Sequence, residues 1–279
     1  MKDFKGKVAV ITGGASGLGF AIAQHAAGLG MKLVLADVEQ SALTTAEAEL
    51  RAAGAEVIGV RTDVSKANEV EALAAASLEK FGRVHLVCNN AGVGGMRRQA
   101  WEATAGDWEW VLGVNVWGVI HGVRTFTPIM LKQDEPCHMV NTASVAGLLS
   151  PSGMSVYNVS KHAVVALSET LYQDLALIHA KLKVSVLCPA FVPTGIWNSA
   201  RNRPAALSAG IDAEEEKRRA AEVKTVLEKG KLTPKDVADQ VFAAIEAEKF
   251  YIITHPKIKA VVEVRMQDIL NERNPTFTN

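Results

Sequence analysis

Apolar residues follow two alternating patterns along this chain. Short runs rich in β-branched residues are each followed by a longer segment in which apolar residues recur at helical spacing. Such alternation predicts βαβ units, in which parallel strands form one sheet with helices on both faces. Strands are predicted at 7–12, 32–37, 56–63, 85–92, 138–144, 183–190 and 250–254, and helices at 20–30, 41–53, 66–81, 107–131, 156–180, 212–229 and 234–248.

No shift in composition interrupts this alternation, which predicts a single domain across residues 1–279. The least regular stretch is 191–211, which follows a predicted strand. A long loop after the carboxyl end of a strand is a candidate lid in an α/β sheet, so we assign residues 191–230 to a substrate loop or lid. Residues 256–279 form a C-terminal extension, and the sequence leaves two roles open for it, an interface or a cover for the pocket.

Bulk composition disfavours several function classes. The 279 residues are 48% hydrophobic and carry a formal net charge of +0 at pH 7, so no nucleic-acid or membrane surface is expected. No apolar run approaches the roughly 20 residues of a membrane span, and the N-terminus has no signal-peptide pattern. Three cysteines at unrelated spacings are expected to be buried free thiols, which favours a cytoplasmic protein.

The segment TGGASGLG, residues 12–19, lies directly between the first predicted strand and the first predicted helix. Backbone N–H groups and the helix N-terminus would favour an anion there, and a dinucleotide pyrophosphate commonly binds at such a turn. Gly13 would allow the tight turn, Gly17 a close approach to phosphate, and Gly19 close packing of helix on sheet. The spacing G-x-x-x-G-x-G differs from the commoner G-x-G-x-x-G, and a plain βα turn is the alternative.

Asp37 ends the second predicted strand, close to the position about 20 residues beyond the fingerprint where a carboxylate accepts from ribose hydroxyls. Such a carboxylate would repel a 2′-phosphate. No arginine stands in the glycine turn or directly after Asp37. The residues therefore predict NAD and disfavour NADP, although an aspartate at a strand end is also a common helix N-cap.

In SVYNVSKHA, residues 155–163, Tyr157 and Lys161 are spaced so that a helix places both on one face. A free phenol has a pKa of about 10, too high for a good base near neutral pH. A neighbouring cation would favour the phenolate. The pair is therefore either an acid/base assembly, in which the lysine lowers the pKa of the tyrosine, or an exposed i,i+4 contact.

Five motifs stand in order along the chain: TGGASGLG, NNAG at 89–92, Asn115, Ser144 and YNVSK at 157–161. With these motifs, the chain resembles the short-chain dehydrogenase/reductase family from Lys7 to about Thr254. The resemblance implies a doubly wound α/β Rossmann domain with a seven-stranded parallel sheet in the order 3-2-1-4-5-6-7. One departure is Pro189-Ala190, where the family often has Pro-Gly, and alanine restricts the backbone if a positive φ is needed.

The resemblance implies a catalytic set of Asn115, Ser144, Tyr157 and Lys161. Tyr157 would exchange a proton with the substrate oxygen as hydride moves to or from the nicotinamide. Lys161 would lower the pKa of Tyr157 and hold the nicotinamide ribose, while Ser144 would hydrogen-bond the substrate oxygen. Asparagine is unfavourable inside a helix, so Asn115 would mark a kink that holds a proton-relaying water; a merely tolerated polar residue is the alternative.

The same resemblance implies the residues that bind the coenzyme. Asp63 would meet the adenine amino group, Thr194 the nicotinamide carboxamide, and the NNAG segment the adenosine ribose, while NNAG would also stabilise the centre of the sheet. The implied set is Gly13, Ser16, Gly17, Leu18, Gly19, Asp37, Asp63, Val64, Asn90, Ala91, Gly92, Tyr157, Lys161, Pro189, Val192 and Thr194. No metal is expected.

The substrate pocket is expected to follow the ends of the catalytic strands. Its candidates are mostly apolar, which favours a hydrophobic secondary alcohol or ketone, aryl-substituted or steroid-like among others. The candidates are Val145, Ala146, Met154, Phe191, Val192, Ile196 and Trp197, with Gly94, Gly95 and Met96 after the fourth strand. Phe191, Ile196 and Trp197 could equally pack the lid onto the core. Four arginines flank the region, and none is obviously placed to bind a carboxylate: Arg97, Arg98, Arg201 and Arg203.

Three hypotheses for function follow. The first is an NAD-dependent oxidoreductase that interconverts a hydrophobic secondary alcohol and its ketone. The opening MKDF, the segments GVN at 113–115 and GVI at 118–120, and the tail YIITHP are similar to a bacterial branch of the family that oxidises benzylic alcohols in lignin-type aryl ethers. The second is a catalytically silent NAD-binding or sensing module on the same fold, which the retained Tyr157 and Lys161 disfavour. The third, a dehydratase or epimerase, is disfavoured by the complete Ser–Tyr–Lys set.

The segments 107–131 and 156–180 have apolar faces broad enough to serve both the sheet and a partner. The family resemblance implies pairing through these helices. A homodimer or homotetramer is therefore expected.

Overall fold

Seven parallel strands form one sheet in the order β3-β2-β1-β4-β5-β6-β7 in a computed structural model that describes residues 1–95, 97–210 and 212–276. This is the strand order that the family resemblance implies. The strands are β1 Val8–Thr12, β2 Lys32–Asp37, β3 Val57–Arg61, β4 Leu86–Asn89, β5 Cys137–Thr142, β6 Leu182–Cys188 and β7 Tyr251–Ile253.

Helices cover both faces of the sheet, as the alternating pattern predicts. On one face α1, α2 and α8 pack through residues such as Ile22, Leu43 and Phe242. On the other, α3, α5 and α6 pack through residues such as Leu73 and Phe126. The helices are α1 Gly17–Gly28, α2 Gln40–Ala52, α3 Ala67–Phe81, α4 Ala105–Leu112, α5 Gly118–Lys132, α6 Ser155–Leu177, α7 Ala213–Glu228, α8 Pro234–Glu246 and α9 Ile258–Leu270.

Burial on both faces explains why the central strands read as continuous apolar runs. Every residue of β1 and β4 is buried, as expected for a parallel sheet covered by helices on both sides. The three cysteines are buried and unpaired, as predicted. Among the described helices, none combines the length and apolar character that a membrane crossing needs.

The predicted helix 107–131 has a different local structure. It consists of α4, a π-helical segment at Gly113–Trp117, and α5. The predicted strand 85–92 is also shorter, because the N–H groups of Asn90 and Ala91 donate to the Thr12 hydroxyl instead of a strand ladder. These differences lie where the chain turns into the functional site.

The segment that the sequence analysis assigns to a lid begins after β6. It contains two 3₁₀ helices, Gly195–Asn202 and Ala205–Leu207, followed by α7, none of whose residues is buried. The C-terminal extension contains α9, which the sequence pattern does not predict. The predicted pocket residue Met96 lies outside the described residues, as do 211 and 277–279.

Candidate active site

A cleft of about 790 Å³ opens at the carboxyl ends of β1 and β4, where the strand order reverses direction. Ligands of open α/β sheets bind at this switch point. We call it the main cleft. Most of the implied coenzyme residues line it: Gly13, Ser16, Gly17, Leu18, Asp37, Asp63, Val64, Asn90, Ala91, Gly92, Tyr157, Lys161, Pro189 and Thr194. Gly19 and Val192 lie behind its wall in the buried interior.

The glycine turn leaves room for a ligand at the start of α1. Gly17 has φ +55°, and Gly19 packs so closely that an added Cβ would lie 2.0 Å from the Gly13 carbonyl oxygen. Ser16 is the N-cap residue, yet its side chain makes no capping hydrogen bond. The N–H groups of the first turn are therefore available to an anion, which favours a phosphate there. The residues present fit a dinucleotide pyrophosphate.

Asp37 is held at the edge of this turn by two backbone donors. Its carboxylate accepts from the Ala15 N–H at 3.2 Å and from the Glu39 N–H at 3.1 Å. Burial raises the pKa of Asp37, although these two hydrogen bonds oppose that effect. The carboxylate lines the cleft, in the position expected of an acceptor for ribose hydroxyls.

Thr12 and Asn90 connect the ends of three strands beneath the cleft. The Asn90 amide donates to the Thr12 carbonyl at 3.0 Å, and the Thr142 hydroxyl donates to Asn90 Oδ1 at 3.3 Å. The sequence analysis gives Thr12 no role of its own. Its position at the end of β1, directly before the glycine turn, is the feature from which a role at the site could have been predicted. The network holds β1, β4 and β5 in register at the floor of the site.

Tyr157 stands in the first turn of α6 and faces the main cleft. Burial raises the pKa of its phenol above the usual value, and a hydrogen bond with the Ser144 side chain opposes this. The sequence argument gave the lowering role to Lys161, and in the protein alone the outcome is the reverse, because desolvation of the phenolate dominates. A lowered pKa would need further positive charge in the cleft.

Ser144 lies two residues after the end of β5, before a short 3₁₀ helix at Val145–Gly147, and is held in a fixed orientation. Its hydroxyl accepts from the Ala146 N–H at 3.1 Å and donates to the Pro189 carbonyl at 3.3 Å. Ala190, which follows Pro189 where the family often has glycine, does not adopt a positive φ. The alanine is therefore accommodated without backbone strain.

Lys161 lies one helical turn beyond Tyr157 and is only 3% exposed. Its ammonium donates to the Thr142 carbonyl at 3.1 Å and lies 5.6 Å from the centre of the Tyr157 ring. Burial lowers the pKa of Lys161 from 10.5 to about 8. Its charged form is thus costly in the empty cleft, and groups that accept hydrogen bonds from it would stabilise it.

This buried lysine makes the stability of the coenzyme-free protein depend on pH. Between about pH 8 and 10.5 the unfolded chain binds more protons at this position than the folded chain, so the free energy of unfolding should rise with pH. We expect a larger rise for the wild type than for Lys161→Met, measured by urea unfolding at intervals across this window. Parallel pH profiles for the two proteins would contradict the shift.

Asn115 lies at the centre of the π-helical segment and is fully buried. Its side chain accepts from the Val93 N–H at 2.8 Å and donates to the Val93 carbonyl and the Ser160 hydroxyl, each at 3.0 Å. The predicted local distortion of the helix is therefore present, and the asparagine is not merely tolerated. The predicted water relay stays a prediction.

Gly92 separates Asn115 from Lys161. A Cβ added there would lie 3.3 Å from Asn115 Oδ1 and 3.5 Å from Lys161 Nζ. Tyr157 and Lys161 thus line one end of the main cleft, while Ser144 hydrogen-bonds Tyr157 and Asn115 is buried beside Gly92. Ser160, which the sequence analysis does not single out, links two of them, because its hydroxyl donates to the Tyr157 carbonyl at 2.8 Å.

The predicted substrate pocket is only partly assembled. Ile196 lines the main cleft, whereas Trp197 lines a second cavity between α1 and α7, where Lys224 Nζ lies 5.1 Å from its ring centre. Phe191 is exposed and Ala146 is buried. Val145 and Met154 are half-buried near the start of α6. The structure does not gather these side chains into one pocket.

The flanking arginines divide into two groups. Arg201 pairs with Glu39, and Arg203 pairs with Asp107. Arg97 and Arg98 line a separate surface groove together with two arginines of α7. The sequence analysis gives no role to Glu39, Asp107 or Asn202, all of which make contacts at the lid.

Comparison with known proteins agrees with this geometry. Residues 7–205 match the family model for short chain dehydrogenase. A short chain dehydrogenase/reductase from Burkholderia phymatum, crystallised in complex with NAD, is 56% identical with a TM-score of 0.97, covering 100% of this chain and 99% of that one.

Two curated relatives extend the comparison. The CLA biosynthesis dehydrogenase/reductase of Lactiplantibacillus plantarum is 37% identical, covering 99% of this chain and 97% of the relative. The 1-deoxy-11-beta-hydroxypentalenate dehydrogenase of Streptomyces exfoliatus is 32% identical, covering 94% of this chain and 88% of the relative. Because the family model, these relatives and the strand order agree, this chain belongs to the short-chain dehydrogenase family.

Proposed function

We propose that the protein is an NAD-dependent oxidoreductase that interconverts a hydrophobic secondary alcohol and its ketone. The observation that carries the proposal is the continuity of the main cleft. One end holds the Asp37 carboxylate and the open N-terminus of α1, and the other holds Tyr157 and Lys161. A dinucleotide bound at the first end could therefore extend to the second.

The relatives support the same chemistry. The Burkholderia phymatum structure contains NAD, and the Streptomyces relative is named as the dehydrogenase of a hydroxylated compound. The Ser144–Tyr157–Lys161 set matches proton transfer at an alcohol oxygen. The main cleft that contains Tyr157 and Lys161 is also lined by Val93, Ile196 and Leu207, and these apolar side chains favour a hydrophobic substrate.

The side chains divide the work of the proposed reaction. NAD, when bound, accepts the hydride from the alcohol carbon. Tyr157 takes the proton of the alcohol oxygen during oxidation and returns it during reduction. The Ser144 hydroxyl, which donates to the Pro189 carbonyl when the cleft holds no substrate, would turn its single proton to that oxygen and orient it, while the Ala146 N–H continues to hold the Ser144 oxygen in place.

Lys161 contributes positive charge beside the phenol. Its Nζ is close enough to Tyr157 to favour the phenolate electrostatically, and acceptors in the cleft would keep the ammonium charged above about pH 8 as well. The ribose hydroxyls of a bound dinucleotide are such acceptors. Asn115 fixes the backbone at Val93 and holds the wall opposite Lys161 in place.

The test is turnover by purified protein with NAD or NADP and a panel of aliphatic, benzylic, steroid and hydroxy-acid secondary alcohols. Absorbance of the reduced coenzyme is followed, with a ketone panel for the reverse direction. Turnover with NAD supports the proposal. The alcohol with the highest kcat/KM would identify which kind of substituent the pocket accepts. NAD binding without turnover of any alcohol or ketone would favour the silent NAD-binding module instead.

Asp37 is expected to decide between the two coenzymes. Asp37→Ser removes the charge that would repel a 2′-phosphate and one acceptor for ribose hydroxyls, while serine can still accept from the Glu39 N–H. We expect the NAD-over-NADP ratio of kcat/KM to fall by about 10- to 100-fold, which corresponds to about 1.4–2.7 kcal/mol. An unchanged ratio would contradict the role of Asp37. Asp63→Ser, on the adjacent wall, is the matched control.

We further propose a homodimer or homotetramer. Trp117, Val159, Tyr172 and Leu177 are exposed large apolar residues on or beside α5 and α6. Sedimentation equilibrium of the wild type and of a Tyr172→Glu variant tests whether this surface is the interface.

A further inference from the structure

Residues 201–207 of the lid, which we call the strap, touch the protein at two separate points. At the first, Glu39 Oε1 accepts from Arg201 Nη2 at 2.5 Å and from Asn202 Nδ2 at 2.7 Å. Glu39 stands directly after the end of β2, two residues beyond Asp37. These hydrogen bonds hold the pKa of Glu39 below its usual value, and the bond from Asn202 has the larger effect. The carboxylate is therefore charged at neutral pH.

At the second point the strap is fixed to the start of α4. Arg203 Nη1 donates to Asp107 Oδ1 at 2.6 Å, and Arg203 Nε donates to the Leu207 carbonyl at 2.9 Å. The arginine also lies over the Trp110 ring, 5.3 Å from its centre. Gly106 allows the close approach, because a Cβ there would lie 2.4 Å from the Leu207 oxygen.

These two points lie on opposite walls of the main cleft. β2 is on one side of the switch point between β1 and β4, and α4 follows β4 on the other. Asp37, Glu39, Trp108 and Trp110 all line the same cleft, together with four residues of the strap: Arg201, Asn202, Pro204 and Leu207. The strap therefore crosses the cleft and is attached on both sides.

The two attachments differ in strength. The side chains of Arg203 and Asp107 are each 3% exposed, whereas those of Arg201 and Glu39 are 38% and 28% exposed. Separating a buried ion pair leaves an uncompensated charge away from water, while solvent largely compensates an exposed pair. The strap should therefore open at Glu39 and remain attached at Asp107.

We propose that Glu39, Arg201 and Asn202 form a latch that retains the coenzyme and sets the rate at which it enters and leaves the main cleft. This rests on the coenzyme part of the proposed function and is independent of the alcohol. Movement of lids commonly limits turnover in enzymes that enclose their ligands. Glu39 and Arg201 act here as gating residues and need not touch the coenzyme.

A gate makes a specific kinetic prediction. If the latch closes equally over the empty and the filled cleft, opening it raises association and dissociation rates by the same factor and leaves the Kd unchanged. A residue that binds the coenzyme directly behaves differently, because its loss raises the Kd mainly through faster dissociation. The two roles are thus separable by measuring both rates.

The experiment uses the whole protein with NADH as the probe. Stopped-flow fluorescence gives the association rate, displacement of NADH by excess NAD gives the dissociation rate, and calorimetry gives the Kd. Glu39→Ala removes both hydrogen bonds without uncapping α2, because the Glu39 side chain makes no capping contact. Arg201→Met removes the ion pair and the Arg201 hydrogen bond to the Asn198 carbonyl, and it leaves the Asn202–Glu39 hydrogen bond in place. The matched control is Lys181→Met. It breaks an exposed ion pair next to the start of β6, in which Lys181 Nζ lies 2.9 Å from Asp134 Oδ2.

For Glu39→Ala we expect both rates to rise about tenfold, with the Kd within about twofold of the wild type. Arg201→Met should give a smaller rise in both rates, and the control none. The charge-swapped variant Glu39→Arg/Arg201→Glu should return both rates toward wild type. Raising the salt concentration should speed release from the wild type more than from Glu39→Ala, because salt screens an exposed pair.

Four results would overturn the latch. Unchanged rates in Glu39→Ala would show that the strap does not gate the cleft. A raised Kd with an unchanged association rate would make Glu39 a direct binding residue instead. Charge-swapped rates that stay as fast as those of Glu39→Ala would exclude the pairing as the cause. Failure of the wild type to bind NADH or NAD would refute the coenzyme assignment and the latch together, whereas binding without alcohol turnover would refute only the proposed reaction.

Discussion

Tyr157→Phe is expected to lower kcat by about 10³-fold while leaving the Kd for NAD within about twofold of the wild type. General acid–base catalysis commonly contributes 10²–10⁴-fold, and the phenol is the acid/base group of the proposed reaction. Phenylalanine keeps the ring that packs at the start of α6 and removes only the hydroxyl near Ser144. Steady-state kinetics on the best alcohol of the panel, with calorimetry for NAD, measures both quantities.

A comparison variant makes this result specific. Ser144→Ala removes the orienting donor and keeps the phenol, so a smaller loss of about 10- to 100-fold is expected. This variant also removes the hydrogen bonds of the Ser144 hydroxyl with the Ala146 N–H and the Pro189 carbonyl, and their removal contributes to the lower rate. Turnover by Tyr157→Phe above one-tenth of the wild-type rate would refute the assigned role. A large loss of NAD affinity would instead indicate damage to the cleft.

Arg203→Met is expected to destabilise the protein by about 3–5 kcal/mol, the usual cost of leaving one partner of a buried ion pair uncompensated. The Asp107 carboxylate would keep its two hydrogen bonds from Thr104, at 2.8 Å and 2.9 Å, and would lose its only charged partner among the described residues. Burial alone would raise the pKa of Asp107, but hydrogen bonds with Arg203 and Thr104 outweigh it and hold the pKa below its usual value. Urea unfolding of the coenzyme-free protein measures the loss.

Arg201→Met is the matched control, because it removes an arginine two positions earlier on the same strap. Its ion pair with Glu39 is partly exposed, so a loss below about 1 kcal/mol is expected. The double variant Arg203→Met/Asp107→Asn should recover part of the stability, because a neutral amide can still accept from the Thr104 N–H. Equal losses for the two single variants would show that burial does not distinguish the pairs. The same pair of variants separates the proposed latch from the fixed end of the strap, since only Arg201→Met should speed NADH exchange while leaving stability nearly unchanged.

The pKa shifts of Lys161 and Tyr157 have the same main cause, which is the burial of both side chains. Burial disfavours phenolate and ammonium alike when the cleft holds no ligand, and it dominates both pKa shifts. The two charges are opposite, so each would stabilise the other only after something in the cleft compensates for their desolvation. We therefore expect the pair of Tyr157 phenolate and Lys161 ammonium to be more favourable in the coenzyme-bound protein, in which the proposed proton transfer takes place.

Features set by short-range geometry could be predicted from the sequence. The alternation of strand and helix patterns, the glycine turn before α1, and Asp37 at the end of β2 each depend on neighbours within a few residues. The strand order followed from the family resemblance carried by NNAG, Ser144 and YNVSK. Local spacing also placed Tyr157 and Lys161 on one face of α6, because the helical repeat fixes that relation wherever the helix lies.

The tertiary structure decided what depends on distant parts of the chain. Glu39 meets Arg201 across 162 positions, Arg203 meets Asp107 across 96, and the Thr12 hydroxyl bonds residues 78 and 79 positions away. It also decided the sign of the Tyr157 pKa shift and the separation of Trp197 from the main cleft. Periodicity records which face of an element is buried, but it does not record which charged groups two distant elements bring together or how much water reaches them. For this protein the sequence by itself determined the fold and pointed to the proposed catalytic residues, and only the packed chain determined the strap, its attachments and the electrostatic state of the site.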